Sequence, residues 1–331
     1  MTVLGVMFSI IVVVIEQMSV QYTPRVVSNF TRSTMAQFVL GIYVGTFSYC
    51  LILLMNIGGN NTAEDPIPRL AVAFAGVLAL VCLMFLVLYI HHITKSIQST
   101  EIIKSIARES IHSLRNVIKD RETAHKESAI RTRGFKHCCI VHSHHIGYVD
   151  SVYWEKLEKR IPNQAWEIHF HKSAGDFIQK DMELMTIWSD GPIPHNALLD
   201  AEKIFEIASS RTISQDPGYG IQKLSDIALK ALSPGINDPS TAIEAIHSIT
   251  AIILEYLKGA PVRNRIHIKE DKVLIFNPVE AETMIHNGYD AILNFSEQHE
   301  GVKELIRQDL KFIQSKIGRH ELKKHLEWKI Q

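Results

Sequence analysis

Six polar residues in the C-terminal half have the side-chain types that build ion pairs, helix caps and ion-binding sites. They are Arg211, Gln215, Asp216, Asp226, Asn237 and Asp238. An arginine among short carboxylates could form a buried network of charge-assisted hydrogen bonds. The same groups could instead bind an ion at helix ends. The third interpretation is structural, with caps and one ion pair that lock the helices together.

The spacing of these residues predicts where two of them lie. Residues 233–240 read SPGINDPS, in which Pro and Gly end one helix and a second Pro opens the next. We predict a tight turn here, with Asp238 capping the helix that Pro239 begins. If the network exists, Asn237 or Asp238 should lie near Arg211 or near the turn at 215–216.

A second set of candidates lies in the apolar N-terminal part and its immediate continuation. Its members are polar or small residues in or beside predicted membrane helices: Glu16, Gln21, Arg25, Gly41, Gly45, Thr46, His91, His92 and Gln98. A carboxylate such as Glu16 is costly in a membrane and is a functional candidate, unless it snorkels at the boundary near Arg25. Gly41 and Gly45 stand one turn apart, which favours close packing of another helix.

Histidines and cysteines offer two further interpretations. His91 and His92 end an apolar run, where they could anchor the helix at the interface, sense pH or bind metal. Cys138, His142 and His144 would share one strand face, which could bind zinc or be a solvated mixed face. No nucleotide-binding, metalloprotease or serine-hydrolase motif occurs, so the sequence predicts neither an enzyme nor a cofactor.

Charge distribution indicates the part of the protein in which each candidate lies. The 331 residues include 35 basic and 35 acidic side chains, a balance that argues against nucleic-acid binding. Residues 1–94 contain only six of these charges: Glu16, Arg25, Arg32, Glu64, Asp65 and Arg69. The chain therefore divides into a membrane part and a charged, water-soluble part. Four cysteines with no disulfide pattern favour a reducing compartment for the soluble part.

Three membrane helices are predicted, at about residues 1–22, 37–57 and 70–92. The second and third are apolar runs of about 20 residues, long enough for the hydrocarbon core. Lys and Arg are enriched around residues 25–32 and after residue 94. By the positive-inside rule, the C-terminal part is cytoplasmic, loop 58–69 is outside, and the protein is multi-pass in the inner membrane.

The soluble part is predicted in three segments. Residues 95–132 form a helical stalk, and no Gly or Pro interrupts one helix of roughly 45 residues from 76 to 120, about 70 Å long. Its apolar stripe needs a partner from this chain or another subunit. Residues 133–194 form a small β domain, and residues 195–331, with an amphipathic segment at 198–208, form a mainly helical domain with one hairpin near 263–276.

The fold class that follows is a membrane α-helical part plus a cytoplasmic α+β domain. Gly147 and Gly175 each begin a turn-then-strand phrase, at 147–150 and 175–178, which resembles the half-motifs of biotinyl/lipoyl-type barrels. The lysine that such carriers modify is not evident. The resemblance therefore implies a small β-barrel that is structural or binds a ligand.

Four longer phrases resemble the bacterial predicted-membrane-protein family called domain of unknown function 2254. They are FSI with QYTPR at 8–10 and 21–25, LGIYVGTFSY at 40–49, IHHI with IQ at 90–93 and 97–98, and RTISQD, DIA and ALSPGINDP between 211 and 239. The resemblance implies a membrane protein, with a further membrane helix upstream in relatives. It implies no activity, and Glu16 departs from the family pattern, so no role for it is inherited.

Two functions are compatible with these features. The first is an oligomeric channel or transport protein gated by its cytoplasmic domain, which rests on the glycine face, Glu16 and the long helix. The second is a membrane-anchored sensor or scaffold whose soluble domain binds a ligand or protein partner. Both place the chain in a lipid bilayer and favour a homo-oligomer, and neither names the ligand.

Overall fold

The computed structural model of the chain divides into two compact units, Met1–Ile102 and Ile103–Gln331. It describes residues 5–6, 9, 12–13, 16–17, 34–58, 69–96, 98–122, 134–161, 165–258, 265–269, 271–277, 281–296 and 299–316. Long apolar helices occur in the first unit, and strands and shorter helices in the second. The predicted combination of a helical N-terminal part and an α+β region is confirmed.

In the described part of the first unit, two helices are long and apolar enough to cross a membrane. They are α1 (Thr34–Gly58) and α2 (Arg69–Ser96). Their apolar stretches, Gln37–Ile57 and Arg69–His91, have mean hydropathies of 2.1 and 2.9, and only 11% and 6% of them is buried. A core helix of a soluble protein would be mostly buried, so exposure and composition together indicate membrane helices.

Aromatic and hydroxyl side chains join α1 to α2. Tyr43 donates a hydrogen bond from its hydroxyl to the carbonyl of Cys82 at 2.7 Å, and Tyr49 donates to the carbonyl of Ala71 at 3.2 Å. Phe38 packs edge-on against Phe85, with ring centroids 5.8 Å apart. Partnering these hydroxyls within the hairpin removes the cost of leaving them unpaired in lipid.

The prediction of one uninterrupted helix from 76 to 120 is wrong. Helix α2 ends at Ser96, and α3 (Ser99–Glu122) is a separate helix. The carbonyl of Gln98 accepts the N–H groups of Glu101 and Ile102 at 3.0 and 3.3 Å, so Gln98 occupies the cap position of α3. Ser and Thr around this position compete for backbone hydrogen bonds, which favours a helix start without Gly or Pro.

Eight strands form two sheets among the described residues of the second unit. They are β1 (His137–His142), β2 (Gly147–Val152), β3 (Trp166–Phe170), β4 (Phe177–Ile178), β5 (Glu183–Ser189), β6 (Phe205–Ala208), β7 (Arg265–Lys269) and β8 (Lys272–Ile275). The strand order is β1-β5-β3-β8-β7 in the five-stranded sheet and β4-β2-β6 in the three-stranded sheet.

The predicted barrel is wrong, because neither sheet closes among the described strands. The two glycine phrases do meet, since Gly147 pairs with Ile178 and Tyr148 with Phe177. However, β6 pairs with the other side of β2, and β3 pairs in parallel with β8 from about a hundred residues later. The hairpin β7–β8, within the predicted segment 263–276, therefore extends the sheet begun by residues 137–189.

The helices of the second unit have the following bounds. After a 3-10 turn (Trp154–Lys156) they are α4 (Leu157–Arg160), α5 (His195–Glu202), α6 (Pro217–Ala231), α7 (Pro239–Lys258), α8 (Ala281–Ile285), a π-helical turn (His286–Asp290), α9 (Ala291–Phe295) and α10 (Glu300–Lys316). The amphipathic segment 198–208 is not one helix. It changes to strand β6 after Glu202, where Phe205 and Ile207 alternate with Glu206, a period-2 pattern that favours a strand.

The β region has a core built from one face of the five-stranded sheet. Trp166, Ile168 and Ile187 are fully buried, and Leu274 of the parallel neighbour joins them. Opposite residues of paired strands share a face, so the register that aligns Ile168 with Ile187 and Leu274 builds this apolar layer. Ala201 of α5 packs into the same core, which fixes the helix beside β1.

Candidate functional site

The first candidate site is the Arg211 cluster, which we define as Gly175, Arg211, Asp216, Tyr219 and Gln222. Arg211 donates from Nε and Nη2 to Oδ2 of Asp216 at 3.0 and 2.6 Å, and from Nη1 to Oε1 of Gln222 at 2.8 Å. Asp216 is the N-cap of α6, where its Oδ1 accepts the backbone N–H of Tyr219 at 3.1 Å. The carboxylate is therefore both a cap and an ion-pair partner.

Burial sets the electrostatics of the cluster. The side chain of Asp216 is 11% exposed and that of Arg211 is 28% exposed. Burial raises the pKa of Asp216 above its ordinary value, whereas Arg211 and the N–H of Tyr219 oppose that rise. The ring of Tyr219 has the guanidinium carbon of Arg211 at 4.8 Å and Nζ of Lys223 at 4.9 Å from its centroid, within cation–π range.

Gly175 places backbone directly against the ion pair. Its φ is +92°, and a Cβ built there would lie 2.2 Å from Oδ2 of Asp216 and 3.1 Å from Nη2 of Arg211. The N–H of Gly175 donates to the carbonyl of Val149 at 2.8 Å, which ties this loop to β2. Only glycine combines this φ with so close an approach.

Two neighbours of the cluster complete its connection to β2. Thr212 donates its hydroxyl to Oδ1 of Asp150, and Oε1 of Gln215 accepts the N–H of Val152 at 2.9 Å. The loop before α6, the loop before β4 and strand β2 therefore share one set of hydrogen bonds. Each nitrogen of the Arg211 guanidinium makes a hydrogen bond within the protein, and both oxygens of Asp216 accept one, so the arrangement favours the structural interpretation of the RTISQD phrase.

The other half of the predicted network lies elsewhere. Asp238 donates its N–H to the carbonyl of Ala231, at the far end of α6 from Asp216. Helix α6 has 15 residues, so these two carboxylates are about 22 Å apart along it at 1.5 Å per residue. The prediction that Asn237 or Asp238 lies near Arg211 or the turn at 215–216 is therefore wrong, and Asp226 lies between the two groups on α6.

The turn itself has the predicted form. Asp238 accepts the N–H of Thr241 at 3.1 Å through Oδ1 and its hydroxyl at 2.6 Å through Oδ2, and α7 begins at Pro239. Asn237 has φ of +49°, a left-handed conformation that asparagine tolerates better than most residues. Its N–H donates to the carbonyl of Ser233 at 2.9 Å. Asn237 and Asp238 therefore have local roles.

Replacing Asp238 with alanine should lower the free energy of unfolding by about 1 kcal/mol, since it removes one N-cap. Asp238→Ser should stay close to the parent, because serine keeps a cap oxygen. Urea unfolding followed by tryptophan fluorescence measures both. An equal loss in the two variants would show that the carboxylate charge, rather than the cap, provides the stability.

The candidate residues of the membrane part also lie in different surroundings. Gly41 and Gly45 are exposed on α1, and a Cβ at either would have nothing within 4 Å. Thr46 instead faces α2, where its Oγ1 lies 3.3 Å from Sγ of Cys82. The predicted contact at the two glycines is therefore not made within the described part of the hairpin. Close packing of another helix on that face stays a prediction.

The remaining membrane candidates have few described contacts. Glu16 is helical and exposed, His91 is exposed on α2, and Gln98 is exposed at the break before α3. His92 belongs to α2, and its side chain lies outside the described part. Gln21 and Arg25 lie outside the described residues, as does most of the predicted first helix. The described residues of that helix are helical.

The zinc interpretation is wrong for the described residues. No three His, Cys, Asp or Glu side chains among them come together in a metal-binding arrangement. Cys138 and His142 are exposed on the edge strand β1. His144 has a different partner, since its Nδ1 lies 2.6 Å from Oε2 of Glu202 and its backbone N–H donates to Oε1 at 2.7 Å.

Glu202 and His144 mark the second candidate site, which we call the Glu202 cavity. Two adjoining cavities of about 440 and 480 Å³ share Glu202, His144 and Leu199 in their walls. Strand β1, the loop after it and helix α5 form the larger part of these walls. Glu202 is only 7% exposed, so a largely buried carboxylate lines both cavities beside aliphatic residues.

Sequence reasoning missed this site although part of its signal was present. His142 and His144 had been considered for zinc, but Glu202, 58 residues after His144, appeared only as one polar residue of an amphipathic segment. A buried Glu is uncommon unless it is paired, and its burial depends on how α5 packs against β1. That packing has no marker in the local sequence.

Comparisons with known proteins agree with this architecture. The family model described as "Predicted membrane protein (DUF2254)" matches residues 1–311. The uncharacterized proteins Mb1321c of Mycobacterium bovis and Rv1290c of Mycobacterium tuberculosis are each 27% identical over 255 residues, which is 76% of this chain and 49% of each relative. The chain thus spans about half the length of these relatives. No solved structure matches it.

Membership follows from the extent of the family match together with the two apolar helices. The matched residues include both spans, the Arg211 cluster and the turn that Asp238 caps. The phrases RTISQD and ALSPGINDP thus correspond to a folded element, helix α6 with its two ends. The chain belongs to the DUF2254 family of predicted membrane proteins.

Proposed function

We propose that this protein is a membrane-anchored sensor. Its soluble α+β domain binds a ligand, and helix α3 couples that domain to the membrane hairpin. The observation that carries the proposal is the position of α3, which begins three residues after α2 ends and is built into the core of the second unit. Ile103, Ile106 and Leu114 of α3 are at most 3% exposed. A helix that only attached the domain to the membrane would not need to bury these side chains.

Close backbone contact joins α3 to the helix that carries the Arg211 cluster. A Cβ at Gly220 of α6 would lie 1.7 Å from Oγ of Ser110 and 2.9 Å from its Cβ. Ser113 donates its hydroxyl to the carbonyl of Ser214 at 3.0 Å, two residues before Asp216. Because packed interiors deform little, a shift of α6 requires a shift of α3.

The channel hypothesis has less support in the described helices. The hydroxyls of Tyr43 and Tyr49 are bonded within the hairpin, and Thr46 lies against Cys82. Many of the large side chains exposed on α1 and α2, such as Leu54 and Leu80, are apolar. A pore needs polar groups along its axis, whereas the hydroxyls of Tyr43, Tyr49 and Thr46 face the partner helix.

Hydrogen exchange on the full chain in lipid nanodiscs tests the coupling. Bilayers of dimyristoyl- and dierucoyl-phosphatidylcholine differ in thickness and perturb the hairpin by hydrophobic mismatch. We expect amides of α3 and α6 to exchange at rates that differ by about threefold between the two bilayers. Inserting Gly-Ser-Gly between Gln98 and Ser99 should abolish the difference.

The matched control is the same insertion after Gly191, a partly exposed residue in the loop between β5 and α5. It adds the same residues away from α3, so the difference between bilayers should persist. Equal exchange in the two bilayers for the parent chain would show that the hairpin is only an anchor. That result would overturn the sensor proposal.

We also propose that the glycine face of α1 mediates self-association in the bilayer. Gly45→Leu should reduce the oligomer fraction, because a large side chain keeps helix backbones apart. Leu54→Val, on the exposed apolar surface, is the control and should leave the assembly unchanged. Analytical ultracentrifugation in detergent measures both, and an unaltered distribution for Gly45→Leu would place the contact elsewhere.

The proposed orientation puts the sensor domain in the cytoplasm. Single cysteines at Asn60 and Ser99, in a background that lacks the four native cysteines, test the positive-inside prediction. A membrane-impermeant maleimide added to intact cells should label position 60 and spare position 99. The opposite pattern would reverse the orientation.

A further inference from the structure

We propose that the Glu202 cavity binds a small organic cation, an ammonium or amidinium group on an apolar body. The inference rests on the proposed sensor function and names the ligand class of its soluble domain. Among the described residues that line the cavity of about 440 Å³ between β1 and α5, two are carboxylates, Glu202 and Asp181, and none is Lys or Arg. Its charge complements a cation.

Glu202 has the capacity to bind such a head group. An ionised carboxylate offers about four acceptor positions, and the backbone N–H and Nδ1 of His144 occupy two of them. Where Glu202 is ionised, Nδ1 of His144 is the donor of that contact. Two acceptor positions of the carboxylate are then left for the N–H groups of a ligand.

The position of Glu202 on its helix adds to the preference for a cation. It is the last residue of α5, and the C-terminal end of a helix carries partial negative charge. The adjoining cavity of about 480 Å³ does include Lys203, but that ammonium is ion-paired to Asp200 at 2.7 Å. Negative charge is therefore more concentrated in the cavity of about 440 Å³, which Asp181 lines.

The remaining walls suit an apolar body. Ile140, Val141, Leu198 and Leu199 line the same cavity as the two carboxylates. Ile140 is 41% and Leu199 38% exposed, so an apolar chain that lies on them removes their surface from water. Binding sites for small molecules commonly combine such walls with a few placed polar groups.

Isothermal titration of the full chain in detergent tests the assignment with three probes of equal chain length. They are n-hexylammonium, n-hexanol and hexanoate. We expect hexylammonium to bind and the alcohol and the carboxylate to bind at least about tenfold more weakly, since they lack the charged donor. Zn²⁺ is a fourth probe, because three imidazoles also line the cavity.

Three substitutions locate the binding. Glu202→Gln should weaken hexylammonium binding at least about tenfold, and Asp181→Asn should weaken it less, because Asp181 is exposed and its charge is screened. Glu206→Gln is the control, since Glu206 is exposed and binds the hydroxyl of Tyr153 outside the cavity. Asparagine tolerates the φ of +65° at position 181, so that variant folds even if Glu202→Gln does not.

Several results would overturn the proposal. They are hexanoate binding as tightly as hexylammonium, Zn²⁺ binding while hexylammonium does not, unchanged affinity in both cavity variants, or no binding of hexylammonium. Each concerns the ligand class alone. The hydrogen-exchange experiment uses no ligand, so it tests the sensor function independently of the ligand class.

Discussion

Replacing Arg211 with methionine is expected to lower the free energy of unfolding by about 3–5 kcal/mol. The substitution leaves the Asp216 carboxylate, 11% exposed, without the cation that compensates its burial. Urea unfolding followed by tryptophan fluorescence measures the loss. Trp154, Trp166 and Trp188 all lie in the second unit, so the signal reports the domain that contains the pair.

The pH dependence of this loss has a definite sign. Burial raises the pKa of Asp216, and Arg211 is the main opposing charge, so the variant should have a still higher pKa there. A raised carboxyl pKa gives stability at low pH that is lost as pH rises through the folded-state value. The deficit of the variant should therefore be largest near pH 7 and shrink toward about pH 4.

A second substitution and a surface control make the result specific. Arg211→Met combined with Asp216→Asn should recover part of the loss, because asparagine keeps a cap oxygen and removes the buried charge. Arg307→Met breaks an exposed ion pair with Glu300 and should cost at most about 1 kcal/mol. Equal losses at positions 211 and 307 would contradict the buried-pair account.

Gly175→Ala is expected to destabilise the second unit by about 3 kcal/mol or more. Alanine is strained at a φ of +92°, and its Cβ would lie 2.2 Å from the Asp216 carboxylate. The clash forces either the loop before β4 or the ion pair to move. The same urea titration measures the loss.

Gly235→Ala is the matched control for the glycine substitution. A Cβ at Gly235 meets nothing within 4 Å and its φ is not positive, so the change should stay within about 1 kcal/mol of the parent. Combining Gly175→Ala with Arg211→Met should give less than the sum of the two losses, since both disrupt one ion pair. Strict additivity would show that Gly175 acts through the backbone alone.

Long-range strand pairing explains where the sequence prediction of the β region failed. Glycine phrases at 147 and 175 correctly indicated two strands, but they carried no information on which strands pair. The partner of strand β3 is the strand whose apolar face aligns with its own, as where Ile168 pairs with Leu274. That choice involves residues a hundred positions apart, so a barrel and an open sheet give the same local pattern.

Local chemistry determined the parts of this protein that the sequence alone reveals. Unbroken hydrophobic runs predict the two apolar helices, because a segment in lipid must form hydrogen bonds to all of its own backbone N–H and C=O groups. The Asp238 cap and the turn before it follow from residues within one short loop. Both depend on interactions between near neighbours along the chain, and the structure contains them where the sequence predicted them.

Tertiary structure decided which of the candidate residues meet at the two sites. Arg211 pairs with Asp216 and not with Asp238, because a 15-residue helix keeps the ends of the phrase apart. His144 meets Glu202 because α5 packs its Ala201 into the sheet core, which brings residues 58 positions apart within hydrogen-bonding distance. Such contacts form because the domain buries its apolar faces. That burial depends on residues throughout the domain, so the sequence near the polar residues gives little indication of which of them will meet.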